Sequence, residues 1–124
     1  MGGWGLVILT GRIYEPTPSG VLRVLVDRLW PRGVRKEGAP WDVWLKDVAP
    51  SNELRTWYHA NPEAREEFRR RYMDELAQPE RAAALAQILE LGRRQPIALV
   101  TATRDVGRGQ VPILRDALLT RETS

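Results

Sequence analysis

The chain has 124 residues, a length typical of a single domain and sufficient to bury a core without disulfides or metals. It contains no cysteine, which excludes disulfide bonds, thiolate zinc sites and cysteine nucleophiles. The formal net charge is +3, and 17 of the 19 basic residues are arginine, the side chain best suited to holding phosphate or carboxylate. Because coding bias also enriches arginine, net charge leaves nucleic-acid binding open without indicating it.

The sequence predicts a protein of the cytoplasm. No stretch approaches the roughly 20 consecutive apolar residues of a membrane span, and residues 1–5 lack the basic and apolar pattern of a secretory signal. We therefore expect one domain over residues 1–124, without membrane association. The sequence does not indicate an oligomeric state.

Two segments near the start are typical of β-strands. Residues 7–14 are rich in apolar and β-branched side chains and end in the turn-forming stretch 15–20. Residues 21–26 form a nearly continuous apolar run, which suits a central strand covered on both faces. A polar loop over residues 32–39 follows.

The middle of the chain reads as helical. Residues 41–45 predict one or two helical turns, ended by Pro50. Ser51 is a plausible N-cap of the next helix, and residues 61–63, Asn-Pro-Glu, predict the start of another. Pro79 opens a third helix, expected to stop near Gly92.

The last part contains a second buried strand and a closing helix. Residues 96–103 form the strand, and Val111, Leu114 and Leu118 mark the inward face of the helix. Since parallel strands need crossover connections, the helical block between the strands favours a parallel sheet. The predicted fold is a three-layer α/β domain with a small, mostly parallel sheet and helices on both faces.

The densest chemical signal lies where the central strand would end. Ligands of open α/β sheets bind beyond the carboxyl ends of the strands, and Arg28 and Arg32 flank Trp30 there. One interpretation is an arginine pair that binds an anion beside an aromatic wall. The other is structural, with Asp27 paired to an arginine and Trp30 in the core. Strand alternation predicts that Asp27 and Arg28 lie on opposite faces.

A second cluster is rich in tryptophan, since four of the five lie between positions 30 and 57. They form either one core cluster or a stacking surface. Lys46 and Arg55, within this region, are then either rim charges or the other side of the anion site.

His59 is the single histidine. A hydroxyl–base pair with Ser51 is excluded on one helix, because eight residues separate the two by roughly 12 Å. Arg55 lies one turn before His59, so the two side chains are placed to share an anion.

Two further segments contain residue types found in binding sites. The glycine-containing loop 101–109 precedes a helix and suits phosphate, but it lacks the lysine and hydroxyl residue of a Walker loop. A solvated connection is the favoured interpretation, unless this loop and the turn at Arg28–Arg32 meet at the same end of the sheet. Residues 69–71, three consecutive arginines, follow glutamates at helical spacing and indicate a solvated helix face. No metal-ligand spacing is present, and no metal or cofactor is predicted.

Several blocks resemble a known family. Residues 23–33 read RVLVDRLWPRG and residues 44–51 read WLKDVAPS, and the likeness continues through residues 54–57 and 68–76 to the last strand. Together they are similar to the YeaO-like group, domain of unknown function 488. The resemblance implies a compact α/β domain of bacterial and archaeal cytoplasm and brings no established reaction.

One difference from the relatives concerns the loop after the last strand. The resemblance implies an acid followed by His-Asn at this point. Here Asp105 matches the acid, while Arg108 and Gly109 occupy the His-Asn positions. If that pair contributes to a site elsewhere in the family, this chain has altered it.

The leading hypothesis is a site for a small molecule that bears a phosphate or carboxylate. Its candidate residues are Arg28, Trp30, Arg32, Lys46, Arg55, His59 and Asp105. Trp30 would be the stacking wall and Asp105 the nearest acid for proton transfer. No nucleophile or general base stands out, so whether the chain is an enzyme stays open. The alternatives are an accessory nucleic-acid binder and a protein-interaction module with an exposed tryptophan patch.

Overall fold

The computed structural model describes residues 6–122 and contains one four-stranded sheet. The strands are β1 (Ile8–Arg12), β2 (Leu22–Leu25), β3 (Val43–Trp44) and β4 (Ile97–Thr101). Their order is β1-β4-β2-β3, and every neighbouring pair is parallel. The predicted small, mostly parallel α/β sheet is confirmed. Residues 1–5, on which part of the location prediction rests, lie outside the described part.

Four α-helices complete the fold. They are α1 (Asn52–Ala60), α2 (Arg65–Leu76), α3 (Pro79–Arg94) and α4 (Val111–Glu122). Two short 3-10 helices, Lys46–Val48 and Val106–Arg108, precede α1 and α4. Among residues 6–122, no helix has the length and apolar character needed to span a bilayer.

The two faces of the sheet are covered differently. Val24 and Leu99 point to one face, where they pack in a single core with buried residues of all four helices. Leu25 and Val100, which alternate with them along the strands, pack in a second core. Non-helical segments cover that second face, contributing the side chains Ile13, Val21, Val34, Trp41 and Trp44. We call these the helical face and the loop face. The predicted helices on both faces are thus found on one face only.

Arg23 holds the loop face together. Its guanidinium donates to the backbone carbonyls of Ile13 (2.8 Å) and Glu15 (2.9 Å) in the β1–β2 connection. It also donates to the carbonyl of Pro40 in the β2–β3 connection (2.7 Å). One β2 side chain therefore ties both connections to the sheet and satisfies carbonyls that regular secondary structure would otherwise have paired.

Three element predictions need correction. Residues 41–45 do not form a helix but contain β3, because Asp42 and Leu45 pair through backbone hydrogen bonds with β2. The helix expected from Asn61 begins at Arg65, since the Asn61 side chain instead donates to the Trp57 carbonyl and closes α1. Helix α3 passes Gly92 and ends at Arg94.

Candidate functional site

The carboxyl ends of β2 and β4 open into two adjacent cavities. The smaller cavity has a volume of about 310 Å³. The larger one has a volume of about 680 Å³. Four residues line both cavities: Pro50, Arg55, Thr103 and Gln110. The cavities are therefore compartments of one depression, which we call the edge cleft.

Asp27 anchors the floor of the smaller compartment. One oxygen accepts hydrogen bonds from Thr101 Oγ1 (2.6 Å) and Gln110 Nε2 (3.1 Å). The other accepts from the backbone N–H of Ala102 (2.8 Å). The Asp27 carbonyl accepts from Trp44 Nε1 (2.7 Å). This half-buried residue thus joins the end of β2 to the end of β4 and the start of α4, and all its side-chain partners are neutral.

Arg28 and Arg55 line the same compartment as Asp27. Within residues 6–122, neither guanidinium has a hydrogen bond or an ion pair. Strand alternation placed Asp27 and Arg28 on opposite faces. That inference is wrong, because β2 ends at Leu25 and the alternation stops before it reaches them.

Arg55 is positioned by a well-anchored helix start. Ser51 caps α1 by accepting from the Leu54 N–H (3.0 Å), as predicted. The Ser51 N–H and hydroxyl both donate to the carboxylate of Glu75 on α2. Arg81 on α3 donates to the Ala49 carbonyl (3.1 Å), just before the buried Pro50. Contacts from α2 and α3 therefore fix the start of α1, which presents Arg55 to the cleft.

Trp30 forms part of the wall of the smaller compartment and is held in place by other tryptophans. Its ring meets Trp41 and Trp44 edge to face at centroid distances of 4.8 and 5.5 Å. Its Nε1 donates to the Val34 carbonyl (2.7 Å). With 37% of its surface exposed, Trp30 is both a packing residue and a cleft residue.

Aromatic residues and a clamped loop line the larger compartment. Tyr58 and Phe68 stack there with centroids 3.9 Å apart and planes 4° apart. Arg65 donates to the carbonyls of Arg108 (2.7 Å) and Gly109 (2.9 Å) and so fixes the loop before α4. The Tyr58 hydroxyl donates to the same Arg108 carbonyl (3.1 Å).

The edge cleft collects five of the seven candidate site residues. Arg28 and Trp30 line the smaller compartment, His59 and Asp105 line the larger, and Arg55 lines both.

The other two candidates, Arg32 and Lys46, are not among the residues that line these two compartments. Both are exposed, and the Lys46 ammonium lies 5.8 Å from the Trp44 ring centroid.

Sequence reasoning missed Gln110 and Arg65, and it covered Thr103 only as part of the candidate loop 101–109. Gln110 and Thr103 line both compartments, and Arg65 secures the loop. Their position just after a buried strand, or near a glycine-containing loop, was the available signal. The carbonyl partners of Arg65 have no sequence signature.

Each of the three arginines at 69–71 forms an ion pair with an acidic side chain. Glu67 accepts from Arg70 and from Arg71, each at 2.7 Å, and Arg69 pairs with Asp116 of α4 at 2.9 Å. Hydrogen bonds from Arg70 and then Arg71 lower the pKa of Glu67 to about 2. This helix face is exposed and its charges are paired, which agrees with the interpretation as a solvated surface.

Residues 6–122 hold no cluster of three or more His, Cys, Asp or Glu side chains placed to bind a metal.

Comparison with known proteins identifies the family. The model described as the "Inactive DUF488-N3 subclade" matches residues 7–124. An uncharacterised protein of Mycobacterium tuberculosis is 46% identical over 112 residues, which cover 90% of this chain and 92% of the relative. The uncharacterised protein YeaO of Escherichia coli is 35% identical over 108 residues, covering 86% and 92%. No solved structure shows a significant match. The chain therefore belongs to the YeaO-like DUF488 family, in the subclade described as inactive.

Proposed function

We propose that this protein binds a small molecule bearing a phosphate or carboxylate group in the edge cleft. Arg28 and Arg55 hold the anionic group. The observation that carries the proposal is that these guanidiniums line one compartment without a partner in the described chain. Asp27, the acid among the residues that line this compartment, is already bound to three neutral donors.

Electrostatics favours an anion at this position. Arginine does not lose its proton in proteins, so two guanidiniums at one compartment stay charged. An oxyanion offers each of them charge-assisted, bidentate hydrogen bonds that water replaces only in part. One formal negative charge, on Asp27, stands against these two positive charges.

Arginines without a partner in the described part of the chain are concentrated on the segments that border the cleft, and two of them, Arg28 and Arg55, line it. Within residues 6–122, six arginines have neither a hydrogen-bond partner nor an ion-pair partner: Arg28, Arg32, Arg35, Arg55, Arg104 and Arg121. All but Arg121 lie on α1 or on the loops that follow β2 and β4. Most of the other arginines hold structural elements in place through hydrogen bonds or ion pairs, as Arg23 and Arg65 do.

We propose binding rather than catalysis. Asp105 is exposed, and its side chain has no hydrogen-bond partner in the described chain that would orient it for proton transfer. Both oxygens of Asp27 already accept hydrogen bonds from structural partners. The description of the subclade as inactive supports this part of the proposal.

The two alternatives have less support. The first alternative is nucleic-acid binding. The arginine run at residues 69–71 is largely neutralised by neighbouring acids, which leaves little open basic surface for nucleic acid there.

The second alternative is a protein-interaction patch of exposed tryptophans. Trp41 and Trp44 pack against the loop face, and the Trp57 ring lies 4.1 Å from the Arg71 guanidinium, so these rings do not form a patch.

A thermal-shift titration with inorganic phosphate and methyl phosphate at constant ionic strength tests the proposal. A ligand that binds only the folded state stabilises it by about 2.7 kcal/mol at 100 times its Kd. For a domain of this size that is a rise of roughly 10 °C in melting temperature. We expect Arg28→Met and Arg55→Met to lose most of this rise.

The matched control is Arg35→Met, which removes an exposed, unpartnered arginine that does not line the cleft. It should keep the full response. Equal loss in all three variants would reveal diffuse charge attraction and reject the site. No response in the unaltered protein to either phosphate or to acetate would reject the proposed function itself.

A further inference from the structure

We propose that the ligand of the edge cleft carries a planar ring attached to its anionic group, with the ring seated in the larger compartment. This inference rests on the proposed function and specifies the substrate class. It follows from the unequal size and chemistry of the two compartments.

The cleft is too large for an anion alone. A phosphate or small carboxylate would occupy the compartment of about 310 Å³ beside Arg28 and Arg55. The adjoining compartment of about 680 Å³ would then hold only water. Because Arg55 lines both, a ligand with its anion at Arg55 can extend directly into the larger space. Ligand sites typically bury most of the ligand against apolar walls and use a few polar groups for orientation.

The walls of the larger compartment suit a flat, apolar group. Pro50, Pro62, Tyr58 and Phe68 supply ring surfaces to its lining. Phe68 lies between Tyr58 and Tyr72, with centroid distances of 3.9 and 6.0 Å. Tyr58 therefore belongs to a group of three nearly parallel rings, in which Tyr72 is fully buried in the core and Tyr58 and Phe68 line the compartment. An added ring is the group that gains most from such a position.

The surrounding contacts make this compartment rigid before a ligand arrives. Arg65 and the Tyr58 hydroxyl both fix the carbonyl of Arg108, which holds the loop wall against the aromatic wall. A preformed site loses little conformational entropy on binding. His59 and Asp105, also in the lining, are polar groups available to substituents on the ring.

Matched phosphate esters test this inference. By calorimetry, phenyl phosphate should bind roughly tenfold more tightly than methyl phosphate, because only its ring enters the larger compartment. Thr56→Trp places bulk in that compartment from an exposed position on α1 that does not line the smaller one. This variant should lose the phenyl advantage and keep methyl phosphate binding. Tyr58→Leu should reduce the advantage through loss of the flat ring.

Ala60→Trp is the control, since residue 60 is exposed on the same helix and lines neither compartment. Ala60→Trp should retain the tenfold difference in affinity between phenyl phosphate and methyl phosphate. Equal affinities of the two esters for the unaltered protein, both dependent on Arg55, would overturn the ring inference and leave the anion site standing. A phenyl advantage that persists in Thr56→Trp would also overturn it. Failure of both esters to bind, together with no response to acetate, would reject the proposed function and the inference together.

Discussion

The helical face and the loop face stabilise the same sheet by different means. On the helical face, side chains of four helices fill a continuous apolar core against residues such as Val24 and Leu99. On the loop face, a smaller apolar cluster is covered by irregular backbone, and Arg23 pairs several of its carbonyls. The difference shows that one guanidinium can do for loop backbone what internal hydrogen bonding does for a helix.

The largest effect should come from removing a leucine of the helical face. Leu99→Ala deletes a fully buried side chain from the core packed by all four helices, at an expected cost of about 3–5 kcal/mol. Leu25→Ala, on the loop face, is equally buried but adjoins irregular segments that can relax into the space, so about 2–3 kcal/mol is expected. Urea unfolding measures both. If Leu25→Ala costs as much as Leu99→Ala, the loop face is packed as rigidly as the helical face.

Arg23→Met should be the next most severe change. The apolar chain length is kept, while the carbonyls of Ile13, Glu15 and Pro40 lose their donor. The carbonyls of Ile13 and Pro40 are partly buried, and leaving them unpaired predicts a loss of about 2–4 kcal/mol in the free energy of unfolding. Arg23→Lys should recover only part of it, because one ammonium cannot reach all of these acceptors.

Arg35→Met is the control for this experiment and should stay within about 0.5 kcal/mol of the unaltered protein, as expected for an exposed surface position. If Arg23→Lys were as stable as the unaltered chain, charge alone would account for the role of Arg23. The comparison between the two faces would then lose its basis.

Asp27→Asn tests the hydrogen bonds by which Asp27 joins the ends of β2 and β4 at the edge cleft. An amide keeps one acceptor oxygen for the Ala102 N–H but removes the charge, and the Thr101 hydroxyl and the Gln110 carboxamide must reverse to accept from the new NH2 group. We expect a loss of about 1–3 kcal/mol. Asp105→Asn, at an exposed acid whose side chain has no partner in residues 6–122, should change stability by less than about 0.5 kcal/mol. Equal stability of the two variants would show that Asp27 does not anchor the edge.

The sequence predicts best those elements whose side chains repeat a simple pattern. The apolar runs that became β2 and β4, the Ser51 cap and the inward positions of α4 follow from burial and local hydrogen bonding. The two-residue strand β3 was missed because its hydrogen bonds join it to β2, some 19 residues earlier. The side-chain pattern of residues 43–44 does not by itself indicate the distant strand with which they pair.

The sequence likewise predicted some residues of the candidate site and could not separate them from residues outside it. The rule that ligands bind at carboxyl ends of parallel strands located Arg28 and Trp30, and helical spacing added Arg55 and His59. Nothing in the spacing separated these from Arg32, which lies outside the two compartments. The sequence analysis named Asp27, but its side-chain partners at the end of β4 and just before α4 are 74 to 83 residues away along the chain.

The smallest expected effect lies on the outer surface of the helical layer. Glu67, which accepts from Arg70 and Arg71, has a pKa lowered to about 2 from its ordinary 4.5. Since the folded state binds this proton less readily than the unfolded state, the stabilisation is fully present above about pH 4.5 and is lost as the pH falls towards 2. Glu67→Gln should therefore be less stable than the unaltered protein near neutral pH, and the gap should narrow on acidification.

Urea unfolding at a series of pH values between about 6 and 3 measures this gap, with Glu66→Gln as the control, because Glu66 is exposed and has no ion pair in the described chain. The Glu67 side chain is 37% exposed, so solvent and salt screen its pairs and the gap should be small and shrink further in high salt. A gap of constant size across the pH range would mean that Glu67 acts through packing. An equal gap for Glu66→Gln would mean that the net charge of α2, rather than the pairing geometry, sets the acid sensitivity of this layer.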